Sequence, residues 1–176
     1  DIKDIANKDL RKIIGFVPQK GILFSGTIES NIKYGNPNMS DEQMIEAAQI
    51  AQATEFIESK PEKYQEPIAQ GGSNVSGGQK QRLSIARAIA IDPEILVFDD
   101  SFSALDFKTD AKLRQELNQL VKKTKSTVLL VGQRIASIMD ADQIIVLDEG
   151  RIVGKGTHEE LMSRPGKYAA MWEKQA

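Results

Sequence analysis

Four consecutive apolar residues, Ile95-Leu96-Val97-Phe98, run directly into two aspartates, Asp99 and Asp100. A strand without polar alternation is expected to be covered on both faces, as in parallel sheets that carry helices on each side. Two more apolar runs follow, Thr127 to Val131 and Ile144 to Leu147, each predicted to be a buried strand. Between the first two runs, Leu113, Leu117, Leu120 and Val121 recur at helical spacing. The second half therefore alternates strand and helix, which predicts an α/β fold with a doubly wound, mostly parallel sheet.

The first half breaks this alternation. Arg11 to Pro18 ends a short helix and enters a short strand that Pro18 stops. Gln19 to Gly35 reads as loop and turn. Ser40 and Gln43 form a capping box ahead of a helix carrying Met44, Ile45, Ala47 and Ala48. A second short helix holds Phe56 and Ile57, and Pro61 to Ser76 reads as loop. Gly77 to Ile91 has no breaker and sets Leu83, Ala86, Ile89 and Ala90 along one side, until Asp92-Pro93 ends it. Residues 19–83 are thus expected to form a helical subdomain inserted into a core of residues 1–18 and 84–176. Near the C-terminus, Glu149-Gly150 predicts a hairpin turn into Arg151-Ile152-Val153. Thr157 caps a helix and Lys167 to Gln175 forms another, with Met171 and Trp172 as its packing anchor.

Composition removes several function classes. With 23 Lys and Arg against 25 Asp and Glu, the net charge is −2, unlike that of a basic nucleic-acid or membrane-surface binder. There is no Cys, hence no disulfide, zinc ribbon or thiol nucleophile. The single His, His158, argues against a His-rich metal centre and reads as solvated at a helix cap. No run approaches the roughly 18 apolar residues of a membrane span. No apolar h-region follows Asp1-Ile2-Lys3-Asp4. A start without Met reads as a fragment or a processed chain.

Two segments carry chemistry. Asn74-Val75-Ser76-Gly77-Gly78-Gln79 places a Ser and two Gly at the mouth of the Gly77–Ile91 helix. The first turn of a helix has unpaired N–H groups and partial positive charge, so this is an anion-binding surface in physical terms. A plain N-capped helix after a loop is the alternative. Asp99 and Asp100 stand at the C-terminal tip of a buried strand, where open α/β sheets bind ligands and a carboxylate can hold Mg²⁺. The alternative is a pair that merely caps the following helix. Lys80 and Arg82 read as solvated helix positions.

Taken with Ser103-Ala104-Leu105-Asp106, these residues resemble the nucleotide-binding domain of an ABC transporter of exporter type. Val17-Pro18-Gln19 resembles the Q-loop, and Leu23 to Ile32 the segment after it. Ser76 to Gln79 resembles the signature, with Val75 in place of Leu. Ile95 to Asp99 resembles Walker B, and Ser103 to Asp106 the D-loop. Gly154 to Leu161 matches the family's C-terminal stretch. The resemblance implies a RecA-like P-loop NTPase core, ATP and Mg²⁺ as ligands, and export driven by ATP hydrolysis at the cytoplasmic face of the cell membrane. It assigns Asp99 and Gln19 to the metal, and Gln19, Ser76, Gly77, Gly78, Gln79 and Asp106 to the nucleotide. Asp100 and Gln133 take the catalytic positions. The partners implied are a second nucleotide-binding domain, packed head to tail, and the coupling helices of a transmembrane domain, which Gln70 is placed to approach. No nucleic acid is implied.

Three departures qualify the resemblance. No G-x-x-x-x-G-K-[ST] occurs. The family places that loop upstream of the Q-loop, so the first part of the fold and the transmembrane helices are expected to be absent. The family's catalytic Glu is replaced by Asp100, whose carboxylate is retracted by about one carbon–carbon bond. The switch His is replaced by Gln133, which can donate a hydrogen bond but carries no titratable proton. Both changes weaken one site while the signature is intact. That pattern predicts a heterodimer in which this chain lends Ser76, Gly77 and Gly78 to a partner's competent site. An ordinary homodimeric exporter and a soluble ABC ATPase acting on RNA or ribosomes are the alternatives. The net charge and the exporter-like Leu23–Asn31 segment weigh against the second. Without backbone amides and a Lys around the phosphates, the chain alone is expected to be inactive and to bind Mg-ATP only weakly; a micromolar dissociation constant by calorimetry would refute this.

Overall fold

In the computed structural model, which describes residues 1–175, helix α1 (Asn7–Ile13) leads without a loop into strand β1 (Ile14–Val17). After Pro18 come β2 (Gly26–Thr27), α2 (Ile28–Ile32), α3 (Asp41–Ile50), α4 (Thr54–Glu58), β3 (Pro67–Ile68) and α5 (Gly77–Ala90). The apolar run is β4 (Ile95–Asp99), followed by α6 (Phe107–Thr124) and β5 (Thr127–Val131). The chain ends in β6 (Ile144–Asp148), β7 (Arg151–Gly156), α7 (His158–Met162) and α8 (Lys167–Gln175).

The sheet order is β1-β4-β5. β1 and β4 run parallel, with Ile14 opposite Ile95 and Val17 opposite Phe98. The long connection between them carries α2 to α5, so two strands far apart in sequence end at one edge. Two compact units divide the chain, Asp1–Leu129 and Leu130–Ala176.

In the first unit, Val17, Ile28, Ile32, Leu83, Ile85, Ala86, Leu96 and Phe98 are fully buried. α5 packs so closely on β1 that Gly15 has no room for a side chain. A Cβ there would lie 2.5 Å from the Ala88 carbonyl oxygen and 2.9 Å from the side chains of Leu96 and Pro93. The capping box of Ser40 with Gln43 forms as the sequence predicts, and Ser76 forms a second one with Gln79. α6 ends at Lys125, in the left-handed conformation of a helix stop.

In the second unit, Glu149 and Gly150 both have positive φ, at 47° and 74°, as a two-residue hairpin of the primed type requires. They join β6 to β7 in antiparallel pairing. Ile144, Val146, Ile135, Leu161 and Tyr168 form its core, and Met171 and Trp172 pack against it.

Four expectations are corrected. The span Gln19–Gly35 contains a helix, α2, opened by a capping box of Thr27 with Ser30; Ser in place of Glu or Gln hid that signal. Within Pro61–Ser76, Pro67–Ile68 pairs antiparallel with Gly26–Thr27. Strand β5 is not buried: Leu129 and Val131 are exposed, because it is an edge of the three-stranded sheet. Strand β6 is buried on one face only. Ile144 and Val146 face the core while Ile145 and Leu147 are exposed, as in a hairpin with one covered side.

Replacing Gly15 by Ala must push α5 away from β1. Overpacking of this kind costs about 1–3 kcal/mol. Urea denaturation of Gly15→Ala is expected to show a loss in that range, with an unchanged m-value.

Candidate functional site

Parallel pairing sets the C-terminal tips of β1 and β4 side by side, the edge at which open α/β sheets bind ligands. Beyond β1 stands Gln19; β4 ends in Asp99, and Asp100 follows it. The Gln19 side-chain amide donates to Asp100 Oδ2 at 3.3 Å, joining residues 81 positions apart. Buried Ser101 donates its hydroxyl to the Val17 carbonyl at 3.1 Å, which fastens the segment after β4 to the end of β1. Asp100 has φ of 45°, a left-handed conformation that few residues other than Gly adopt readily. Its carbonyl accepts from the Ser103 hydroxyl at 2.9 Å.

The segment carrying Gln19 is held from below by α5. Gln81, only 1% exposed, accepts from the Gly21 N–H at 2.8 Å and donates to the Pro18 carbonyl at 3.1 Å. Gly21 sits against the helix itself: a Cβ there would lie 2.8 Å from the Lys80 carbonyl.

At the start of α5, the Ser76 hydroxyl accepts from the Gln79 N–H at 3.2 Å, and Gln79 Oε1 accepts from the Ser76 N–H at 3.0 Å. Ser76 therefore does cap a helix. Yet a Cβ on Gly77 would meet nothing within 4 Å. Packing within the chain does not require glycine there, and the space in front of it is open. Gly78 lies beside the Ala104 carbonyl, 3.5 Å from where its Cβ would stand.

Arg82 is not the solvated position expected from the sequence. It donates to the Gln52 carbonyl at 2.9 Å and to the Gly78 carbonyl at 3.3 Å, with its guanidinium 4.9 Å over the Phe56 ring. Burial lowers its pKa, and the charges of Asp106 and Glu55 oppose that shift. Asp106 caps α6, accepting from the Thr109 N–H at 3.0 Å and the Thr109 hydroxyl at 2.7 Å. Phe102, just before the Ser103–Asp106 loop, stacks on Phe98 at 5.1 Å and carries the Arg114 guanidinium at 4.5 Å.

Gln133 lies in the second unit with its side chain exposed. Its carbonyl accepts from the Gln175 side-chain amide at 2.8 Å, and Gln175 Oε1 accepts from the Ile135 N–H at 2.8 Å. His158 is not free in solvent as expected. It is half-buried, 2.8 Å from the Tyr168 hydroxyl, with its ring edge-on to Tyr168 and Trp172.

Phe24 and Tyr34 make an exposed aromatic face. Phe24 and Tyr34 stack at 4.4 Å, and Ile22 beside them is also exposed. Arg87 supports this face from beneath, donating to the carbonyls of Ile22 and Asn31 and to Asn31 Oδ1 at 2.7–2.9 Å. Burial lowers its pKa. Buried Asn31 in turn accepts from the Phe24 N–H and donates to the Phe24 and Thr27 carbonyls. Gln81, Ser101, Asn31 and Arg87 were not identified from the sequence. The one signal was a polar Gln81 on the same helix face as apolar Ile85 and Ala88, and its partners become visible only in three dimensions.

No group of three or more His, Cys, Asp or Glu side chains that could hold a metal occurs among the described residues. Asp99, Asp100 and Gln19 nevertheless supply oxygen donors at one edge. That set fits Mg²⁺, which takes one or two carboxylates and fills its octahedron with water and phosphate oxygens.

The Asp106 cap carries a pH dependence. The Thr109 N–H and hydroxyl hold its carboxyl below the ordinary range. A lowered carboxylate stabilises the fold fully above the unfolded-state value, and the contribution is lost as pH falls through the folded-state value. Asp106→Ala is expected to lower Tm near neutral pH, with the gap to wild type closing in acid. Thermal unfolding at several pH values reads both, and a gap that persists in acid would mean that the charge of Asp106 contributes nothing.

The family model described as ABC transporter matches residues 1–103. A mitochondrial iron-sulfur clusters transporter, atm1, from Aspergillus fumigatus is 44% identical over 99% of this chain, which spans 24% of that relative. The ABC transporter ATP-binding protein YfiB of Bacillus subtilis is 45% identical over 99% of this chain, which spans 30% of it. Among solved structures, a bacterial Atm1-family ABC exporter with ATP bound superposes with a TM-score of 0.94 at 37% identity, covering 99% of this chain and 30% of that one. This chain thus spans under a third of the length of these relatives, and none of its described helices is long and apolar enough to cross a membrane. With the family model matched from the first residue through the Asp99-Asp100 pair and the fold shared with an exporter over nearly its whole length, the chain belongs to the ABC transporter family.

Proposed function

We propose that this chain is the ATP-binding cassette part of a membrane exporter. The observation that carries this reading is the bond from Gln19 to Asp100 across the tips of β1 and β4. It brings a loop that can sense a partner to the edge where a metal and phosphates would lie. When bound, Mg-ATP supplies the phosphoanhydride whose hydrolysis drives transport. Asp99 and Gln19 hold the metal, and Asp100 orients water. Ser76, Gly77, Gly78 and Gln79 face the nucleotide of a second nucleotide-binding domain, and Asp106 lies in the loop that links the two sites. Open space in front of Gly77 supports that approach. Residues 19–83 act as the helical subdomain, and 1–18 with 84–176 as the ATPase core. The exposed Ile22, Phe24 and Tyr34 suit the docking of a transmembrane domain, and Gln70 is a further exposed contact. The assembly works at the cytoplasmic face of a membrane. Its cargo is chosen by membrane helices, so likeness to an iron-sulfur clusters transporter bears on the motor and not on the cargo.

Asp100 in place of Glu and Gln133 in place of His make this a slow, nucleotide-retaining site. Its signature serves the faster site of a different partner subunit. In the full-length pair, Asp100→Ala is expected to change turnover by less than about threefold, whereas removing the partner's catalytic Glu should cost the roughly 10²–10⁴-fold of a lost general base. Trapping is expected to retain one ADP per dimer. Equal losses from the two substitutions, or two trapped ADP, would replace this reading with a homodimer of two working sites. Restoring both family residues with Asp100→Glu and Gln133→His is expected to raise hydrolysis at this site.

A further inference from the structure

The first turn of α5 and the segment around Gln19 would serve different nucleotide sites, yet one buried side chain joins them. Gln81 lies within the first two turns of α5, downstream of Ser76, Gly77 and Gly78. Its carboxamide holds both ends of the Gln19-Lys20 dipeptide, accepting from the Gly21 N–H and donating to the Pro18 carbonyl. It is 1% exposed, so neither bond has water to replace it, and losing either leaves a buried polar group unsatisfied.

The two surfaces are also in direct contact. A Cβ on Gly21 would stand 2.8 Å from the Lys80 carbonyl and 2.9 Å from the Ser84 hydroxyl, so the loop backbone rests on the helix. The helix start is stiffened by the Ser76–Gln79 capping box and by Arg82, which ties the Gly78 carbonyl to the Gln52 carbonyl. At the far end of this chain of contacts, Gln19 donates to Asp100.

We infer that Gln81 is a positioning residue that transmits movement of the signature turn to Gln19 and its contact with Asp100. A nucleotide seated against Ser76–Gly78 in the partner's site is thereby felt at this chain's own site. The inference rests on the reading of Ser76–Gly78 as a nucleotide contact. It assigns Gln81 no contact with nucleotide, metal or reacting atoms.

The test is a double-mutant cycle on ATP turnover in the full-length transporter. Ser76→Ala and Gln19→Ala are made singly and together, with and without Gln81→Met, which keeps the side chain's length and removes both hydrogen bonds. With Gln81 present, the two effects are expected to depart from simple multiplication by about fivefold or more, as contacts in one network do. With Gln81→Met they should multiply to within about twofold. Hydrogen exchange at the Gly21 amide should speed up in Gln81→Met and stay slow in Gln81→Glu, which keeps the acceptor. Should Gln81→Met fail to fold, the cycle is run in Gln81→Leu, which also removes both hydrogen bonds; coupling is expected to fall there too. Undiminished coupling in a folded variant overturns the inference alone. Ser76→Ala turning over like wild type overturns the nucleotide-contact reading and the inference with it.

Discussion

The parallel pairing of β1 with β4 is the contact on which the rest of the molecule depends. It joins strands separated by the whole helical segment and brings Gln19 and Asp100 to the same edge. The pairing is secured from the side by α5, whose backbone approaches β1 so closely that position 15 must be glycine. Glycine at position 21 extends that approach past the end of the strand. The long connection between the two strands is therefore pinned down at both ends by one helix.

Around this frame, buried polar side chains set the loops. Gln81 holds the segment around Gln19, Ser101 holds the end of β1, and Asn31 holds the backbone of Phe24. Each is satisfied by backbone groups of another segment, so each specifies a single loop path in a way that apolar packing cannot. Arg87 adds a half-buried cation beneath the exposed aromatic face, and Arg82 another at the start of α5. The surfaces proposed to meet partners are thus the ends of a rigidly supported unit.

Much of this was legible in the residues. The Ile95–Phe98 run, the breaker-free stretch from Gly77, the capping box at Ser40 and the cap at Thr157 depend on local periodicity and local hydrogen bonds, and those elements form as expected. Gln19 and Asp100, to which the resemblance gives different roles, lie within hydrogen-bond reach. What was not legible concerns surroundings. Arg82 looked solvated because helical spacing does not reveal that Phe56 and the Gln52 carbonyl await it. His158 looked free because nothing nearby in sequence announces Tyr168. Leu129 and Leu147 looked buried because an apolar run reports the preference of a strand and not the number of its neighbours.

The sequence by itself determined the class of fold and the order of apolar runs, breakers and caps along the chain. These are properties of residue type and spacing, and they need no partner to be read. Only the tertiary structure decided which polar groups meet. Gln81 reaches both Pro18 and Gly21, and Gln19 reaches Asp100, because a parallel crossover folds some eighty residues of chain back onto one sheet edge. Hydrogen bonds act over about 3 Å, and separation along the chain carries no information about distances that short.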